Sequence, residues 1–320
     1  MWPLDSAVVA VLSRALGLGL GYVADLLFAD PARLHPVAGF GRLAGCVEQR
    51  TYADRRSAGV THVAVLVGAV VLAGAGSQRA TRTRPVLDVL STAVATWTVL
   101  GGASLDREAA AVARLLAAGR LDDARMRLTH LVGRDTSGLD EGEIARAVIE
   151  SVAENTSDAV VAPLVLGAVA GIPALVGYRA ANTLDAMVGH HDERYENFGW
   201  GAARLDDLLN LPGSRLAALL AAALAPVVDG QPREALVAWR RDASGHPSPN
   251  AGPVEASFAG ALGIRLGGVN TYGDRVEDRQ VLGDGRAATQ HDVSRARTLA
   301  RAVGVGAAAT VVLIALRPRR

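Results

Sequence analysis

AGVTHVAVLVGAVVLAGAG, residues 58–76, holds one ionisable side chain, His62, in nineteen positions. That length approaches the ~20 apolar residues that cross a bilayer as a helix. Five further stretches resemble it. Leu4–Ala24 is interrupted by Arg14, and Val86–Ala103 contains Asp88. AVVAPLVLGAVAGIPALVGY (Ala159–Tyr178) is uncharged but carries Pro163 and Pro173. Leu211–Val228 and Leu299–Leu316 complete the set, the last followed by RPRR, which suits phosphate headgroups. One such stretch would fit a core helix of a soluble protein. Six, rich in Gly and Ala at close-packing positions, predict a polytopic integral membrane protein of all-α class. Arg14 and Asp88 are then expected near helix ends or facing the protein interior. The first stretch lacks the basic start and cleavage site of a secretory leader, so it reads as retained.

Composition agrees with this reading. Half of the 320 residues are hydrophobic but only 4% are aromatic, so the apolar mass is Ala, Val, Leu and Gly. Mean hydropathy is +0.23. The net charge of +1 gives no electrostatic case for nucleic acid. All 33 basic residues are arginine, which removes a Walker A lysine, a pyridoxal-phosphate Schiff base and any lysine nucleophile. A lone Cys46 forms neither an internal disulfide nor a thiolate zinc site. Without repeats, low-complexity tracts or clean strand alternation, residues 1–320 read as one membrane-embedded catalytic domain. Arginines do not orient it: five lie in Asp30–Ser57 and three in the short Ser77–Pro85 loop, which would face opposite sides if both flanking stretches cross.

Chemistry concentrates in the polar segments. Ser104–Asp158 has helical spacing, broken at Gly119. Within it, Glu150, Glu154 and Asp158 lie four apart and stack on one helix face. A solvated acidic face is the simpler reading. The apolar flanks favour a cation instead, most naturally Mg²⁺ shared with a phosphate, with Asn155 as a neutral oxygen donor. GRDTSGLDEGEI (Gly133–Ile144) is a turn and helix start that Asp140 or Thr136 could cap. It could equally hold phosphate through backbone N–H groups, helped by Arg134 and its neighbour Asp135.

After Tyr178, Arg179, Asn182 and Asp185 share a helix face, and Arg204, Asp206, Asp207 and Asn210 form a second set. Asp206-Asp207 resembles half of an acidic metal motif, a pattern also common on surfaces. The adjacent pair His190-His191 fits a loop or cap better than a metal site, since neighbouring helical positions point apart. DLLFADPARLHPVAGFGRL brings Asp25, Asp30 and His35 together through proline turns. RDASGHPSPNAGPVEASFAGALGIRLGG (Arg241–Gly268) repeats the device, placing His246, Asn250 and Glu255 around Pro247 and Pro249 ahead of a close-packed helix. Each proline removes chain entropy before a ligand arrives. Pro163, Gly167, Gly171 and Pro173 are expected to break the Ala159–Tyr178 stretch, so that the acidic face before it and YRAANTLD after it share one side of the membrane.

DPARLHPV, GRDTSGL, ESVAENTSDAVVAPL, YRAANTLDAMVG, FGWGAARLDDLLN and HPSPNAGPVEASFAGALGIRLGG, in that order, resemble the motifs of the adenosylcobinamide-phosphate synthases, the CobD/CbiB family of cobalamin biosynthesis. The similarity runs from about Asp25 to Gly285. Arg179 stands where the family often has lysine, and Pro253 where an aromatic is common. The resemblance implies a multi-pass protein of the cell membrane with its site on the cytoplasmic side. It also implies an ATP- and Mg²⁺-dependent ligase joining the propionate carboxylate of adenosylcobyric acid to (R)-1-aminopropan-2-ol or its phosphate. That chemistry gives the residues roles. Glu150, Glu154, Asp158, Asp206 and Asp207 could hold Mg²⁺. Asp30, His35, Arg134, Asp135, Asn155, Arg179, Asn182, Asp185, Arg204 and Asn250 could bind substrates, and His246, Glu255 and Asp158 could act in catalysis, His246 or Glu255 as the base. A membrane transporter, or a scaffold whose partners are other corrinoid-pathway enzymes, remains an alternative.

Overall fold

The computed structural model describes residues 6–30, 35–190, 192–272 and 275–316. His191 of the histidine pair, part of the proline turn after Asp30, and the RPRR end lie outside them. In chain order the helices are α1 (Ser6–Phe28), α2 (Pro36–Thr51), α3 (Arg56–Thr81), α4 (Pro85–Val99), α5 (Gly102–Ala117), α6 (Leu121–Leu128), α7 (Glu141–Thr156), α8 (Ala162–Ala170), α9 (Ile172–Val188), α10 (Trp200–Ala223), α11 (Pro232–Asp242) and α12 (Ala251–Leu262). Strands β1 (Ile264–Tyr272), β2 (Arg275–Leu282) and β3 (Arg286–Ala287) and helix α13 (Gln290–Ala315) follow. The protein is a polytopic helical membrane protein, with five helical stretches among the described residues long and apolar enough to cross a bilayer. By internal contacts the chain divides into two compact units. One comprises residues 1–101, 162–210 and 308–320, the other 102–161 and 211–307.

The first unit is inside-out by the standards of a soluble protein. Leu72 on α3 is 74% exposed, whereas Asp25, Glu48 and His62 are buried. Lipid accounts for the first observation and internal pairing for the second. Arg14 donates to the Ala168 carbonyl, and Asp88 accepts from the Thr81 hydroxyl, so both face protein as expected. Small residues set the helix packing. A Cβ on Gly17 would lie 2.5 Å from Cβ of Thr92, and one on Gly21 2.4 Å from Cβ of Thr96, so α1 and α4 meet backbone to side chain along a Gly-x-x-x-Gly stripe. The α3–α9 contact uses Gly74 against Pro173 and Gly177 against Val71 in the same way.

Of the expected breaks in Ala159–Tyr178, the one at Gly171 is present, whereas Pro163 and Gly167 lie inside α8 and Pro173 inside the first turn of α9. Five π-helical residues, Ser157–Val161, separate α7 from α8, and Gly171 separates α8 from α9. Gly171 has φ +74°, and a Cβ there would meet Oε1 of Gln78, the atom that accepts from the Ile172 N–H at 2.9 Å. Only glycine satisfies both conditions.

The second unit is built around α7 and α12. Residues Ala251 to Ala259 of α12 are all buried, as are Ala147 to Ala153 of α7. Of the two expected caps, Asp140 rather than Thr136 starts α7, in a reciprocal capping box with Glu143. Gly119, at φ +68°, parts α5 from α6 where the sequence places the break. Buried Asp292 anchors the start of α13 through Arg286, Arg295 and Thr289.

Two sequence expectations change. Leu211–Val228 is not one apolar helix: α10 begins at Trp200, passes through Pro212 and ends at Ala223, and a 3₁₀ turn covers Ala225–Val228. The segment after α12, where the sequence offers no clean strand alternation, forms the antiparallel hairpin β1–β2, and β3 pairs parallel to β1. A bulge between Leu266 and Gly268, with Gly267 and Gly268 at φ +77° and +87°, interrupts the period-two alternation and hides the strand from a pattern reading.

Gly21→Ala is expected to destabilise the protein by about 1–3 kcal/mol through overpacking against Thr96. Gly19→Ala, whose Cβ would have its nearest neighbour at 3.8 Å, should be neutral or slightly stabilising. Melting temperatures in detergent would order the two variants.

Candidate functional site

Within the second unit the buried ions converge on Glu150 of α7. Oε2 accepts from Nη2 of Arg134 at 2.7 Å, and Oε1 accepts from the Gly267 N–H at 2.8 Å. Arg146 adds a third donor group 3.8 Å from Oε1. The bulge aims the Gly267 N–H at the carboxylate while the Gly267 carbonyl accepts from Nη1 of Arg146. A loop, a helix and a hairpin are thereby tied to one side chain.

Glu255 of α12 and His246 of the preceding turn form a second, less satisfied pair. Nε2 of His246 lies 3.8 Å from Oε1 of Glu255, too far for a hydrogen bond, and has no hydrogen-bond partner among the described residues. Both side chains are at least nine-tenths buried. The proline turn fixes the ring: Nδ1 lies 3.1 Å from the Ser248 N and 3.2 Å from its carbonyl oxygen. Gly252 leaves room for it, since a Cβ there would come within 2.8 Å of Cβ of His246. His35 uses the same device in the first unit, with Nδ1 accepting from the Val37 N–H and Nε2 3.5 Å from Oδ1 of Asp30.

Burial, more than charge, disfavours ionisation of the inner pair. Burial drives the Glu255 carboxyl well above the usual carboxylate range, and Glu150 and Glu154 push it the same way against Arg279 and Arg134. Burial pulls His246 below its ordinary value. A cavity of about 340 Å³ opens at the α7 N-terminus, lined by Arg146, Arg265, Gly267 and the capping residues Asp140 and Glu143.

Residues 18–300 match the family model for CobD/CbiB proteins. The chain belongs to the CobD/CbiB family. It is 51% identical over 308 residues to the cobalamin biosynthesis protein CobD of Mycobacterium tuberculosis (strain ATCC 25618 / H37Rv), covering 96% of this chain and 97% of that one. The CobD proteins of Geobacter metallireducens, at 43% over 81% of this chain and 83% of that one, and Rhodobacter capsulatus, at 39% over 98% of each, are similar along the same sequence. No solved structure matches.

In this CobD/CbiB protein, several residues singled out by sequence have other engagements. The Glu150, Glu154 and Asp158 stack is not a uniform face: Glu150 is buried in its ion pair, Glu154 is exposed, and Asp158 is half-buried in the π-helical segment, which alters the four-residue stacking. Arg134 turns inward to Glu150 rather than toward a phosphate at the α7 start. Arg146 and Arg265 line the cavity there instead. Asp135 is an exposed turn residue accepting from the Ser137 N–H, and Asn155 donates back to the Ser151 carbonyl. Asn250 does not cap α12. Its Oδ1 accepts from Ser214 and Arg215, while the Ser248 hydroxyl receives the Asn250 and Ala251 N–H groups.

In the first unit, Nη1 of Arg179 donates to Asn182 at 3.2 Å, one turn from half-buried Asp185. Exposed Arg204 lies 3.7 Å from Asp207, and Asp206 and Asn210 are buried. Among the described residues no three His, Cys, Asp or Glu side chains form a ready-made metal cage. Sequence reasoning missed Glu277 and Arg279. They occupy one face of β2 two residues apart, pair at 3.1 Å, and act electrostatically on His246.

Glu255 binds its proton more tightly folded than unfolded, so its contribution to stability is complete below pH 4.5 and lost as pH rises through its raised value. His246 is the opposite case: its contribution is present above pH 6.5 and lost as pH falls through its lowered value. Thermal unfolding across pH should show Glu255→Gln gaining on wild type as pH rises from 4.5, and a His246→Gln variant gaining as pH falls from 6.5.

Proposed function

We propose that the protein is the ATP-dependent ligase that joins the propionate carboxylate of adenosylcobyric acid to (R)-1-aminopropan-2-ol or its O-phosphate, from the cytoplasmic face of the cell membrane. Membership of the cobalamin-biosynthesis family supports the pathway. The observation that carries the chemistry is the buried His246–Glu255 pair, with an imidazole held below its ordinary proton affinity and an Nε2 that has no hydrogen-bond partner among the described residues.

Amide formation from a carboxylate needs an activated acyl group and a deprotonated amine. Phosphorylation of the carboxylate oxygen by ATP, with release of ADP, converts a poor acyl donor into an acyl phosphate. The amine nitrogen then forms the C–N bond, the C–O bond to phosphate breaks, and the proton lost by nitrogen passes to Nε2 of His246. The Ser248 carbonyl receives a hydrogen bond from Nδ1–H in that tautomer, and Glu255 faces the imidazolium that forms. Lowered by burial, His246 is in its neutral form at neutral pH, the form that can accept the proton. Arg146 and Arg265, at the cavity beside the α7 N-terminus, suit anionic phosphate oxygens.

Mg²⁺ usually takes one or two carboxylates and completes its shell with phosphate oxygens and water. Glu154 and Asp158, one carboxylate exposed and the next half-buried four residues on, fit that need, whereas Glu150 has both oxygens engaged by protein donors. The ion would neutralise charge on the transferred phosphoryl group.

Purified protein in nanodiscs, given adenosylcobyric acid, Mg²⁺–ATP and each form of the amine, should release ADP and phosphate in step with the corrinoid amide. Asp158→Asn should insert normally, lose most of the ligation and recover partly at raised Mg²⁺. Transport of a corrinoid without ATP-dependent amide formation, with either amine, would overturn the proposal.

A further inference from the structure

The first unit carries a groove that the ligase reading does not use. It has a volume of about 590 Å³ and runs between α3, α4 and α9. Its walls are apolar, with Val70 and Ala73 on α3, Leu90 and Val94 on α4, and Ile172 and Val176 on α9. Its polar lining comes from Ser77, Thr81 and Ser91, and the Thr81 hydroxyl lies 3.2 Å from that of Ser91. The chain leaves Thr81 directly into the turn between two membrane-spanning helices.

That turn and the helix end before it hold Arg79, Arg82 and Arg84 within six residues. All three are exposed, and none has a carboxylate within ion-pair distance among the described residues. Asp88, the acid nearest in sequence, is buried and receives a hydrogen bond from Thr81. Exposed Arg120 and Arg301, by comparison, each pair with an aspartate. The cluster therefore supplies uncompensated positive charge next to the polar lining of an apolar trough in a membrane-spanning helix pair.

We propose that this groove is a binding site for one anionic phospholipid, with an acyl chain along Ala73, Leu90 and Val94 and the phosphate headgroup at Arg79, Arg82 and Arg84. The trough and the charge are both needed. An apolar groove alone would accept any lipid, and three arginines alone would draw anionic headgroups without retaining a particular molecule. A bound anionic lipid also gives this short loop a use for its arginines whichever side of the membrane it occupies, which the positive-inside count leaves in conflict with the Asp30–Ser57 loop.

The test titrates detergent-solubilised protein with phosphatidylglycerol or phosphatidylcholine and reads the lipid-bound fraction by native mass spectrometry. Phosphatidylglycerol should bind with clear preference. Replacing all three arginines by glutamine should weaken it by about a hundredfold, on the scale of one surface contact per arginine, and leave phosphatidylcholine unchanged. Ala73→Phe, an outward-facing change that fills the trough, should reduce both lipids. Circular dichroism and a monodisperse elution profile would establish that the variants are folded. Equal affinity for the two lipids, unchanged binding in either variant, or displacement of the lipid by millimolar inorganic phosphate would overturn the proposal, the last by making this a free-phosphate site.

Discussion

The carboxylate of Glu150 is the point on which the second unit turns. A glutamate buried in a helix core is costly unless its charge is offset and its oxygens receive hydrogen bonds. Arg134 supplies the charge, and the Gly267 N–H reaches the second oxygen. Removing one partner of such a buried pair typically costs about 3–5 kcal/mol, because the other is left uncompensated. The pair therefore fixes the GRDTSGL loop, the α7 helix and the β1 bulge in register. It also sets the field in which Glu255 titrates: Glu150 disfavours a second buried negative charge, while Arg134 offsets only part of that repulsion.

Much of this was legible in the sequence where the controlling physics is local. The helix start at Asp140, one of the two expected caps, the helix break at Gly119 and the chain break at Gly171 follow from residue type and spacing. Membrane embedding follows from the length and purity of residues 58–76 and stretches like it, since hydropathy is additive along a chain. The engagement of His246 with Ser248 follows from a proline turn only two residues long.

What escaped the sequence depends on partners far along the chain. Arg134 near a helix start looks like a phosphate ligand until Glu150, sixteen residues on, claims it. Asn250 looks free until Ser214 and Arg215 of α10 reach it. The β1–β2 hairpin was invisible because two adjacent glycines with positive φ shift the alternation midway. Leu211–Val228 is apolar enough to suggest a crossing, but its helix ends at Ala223. Such tertiary choices place Glu277 and Arg279 near the inner pair, and no periodicity in VEDRQ announces it.

The account rests on a buried carboxyl that binds its proton more tightly than an ordinary carboxylate, facing an imidazole whose burial disfavours its charged form. The most direct measurement is the infrared spectrum of the purified protein at neutral pH, compared with that of Glu255→Gln. The C=O stretch of a protonated carboxylic acid should be present in wild type, shift on exchange into deuterated water, and be missing from the variant. A wild-type spectrum without a protonated-acid band attributable to Glu255 would show that the group is ionised, and would contradict the electrostatic description of the site.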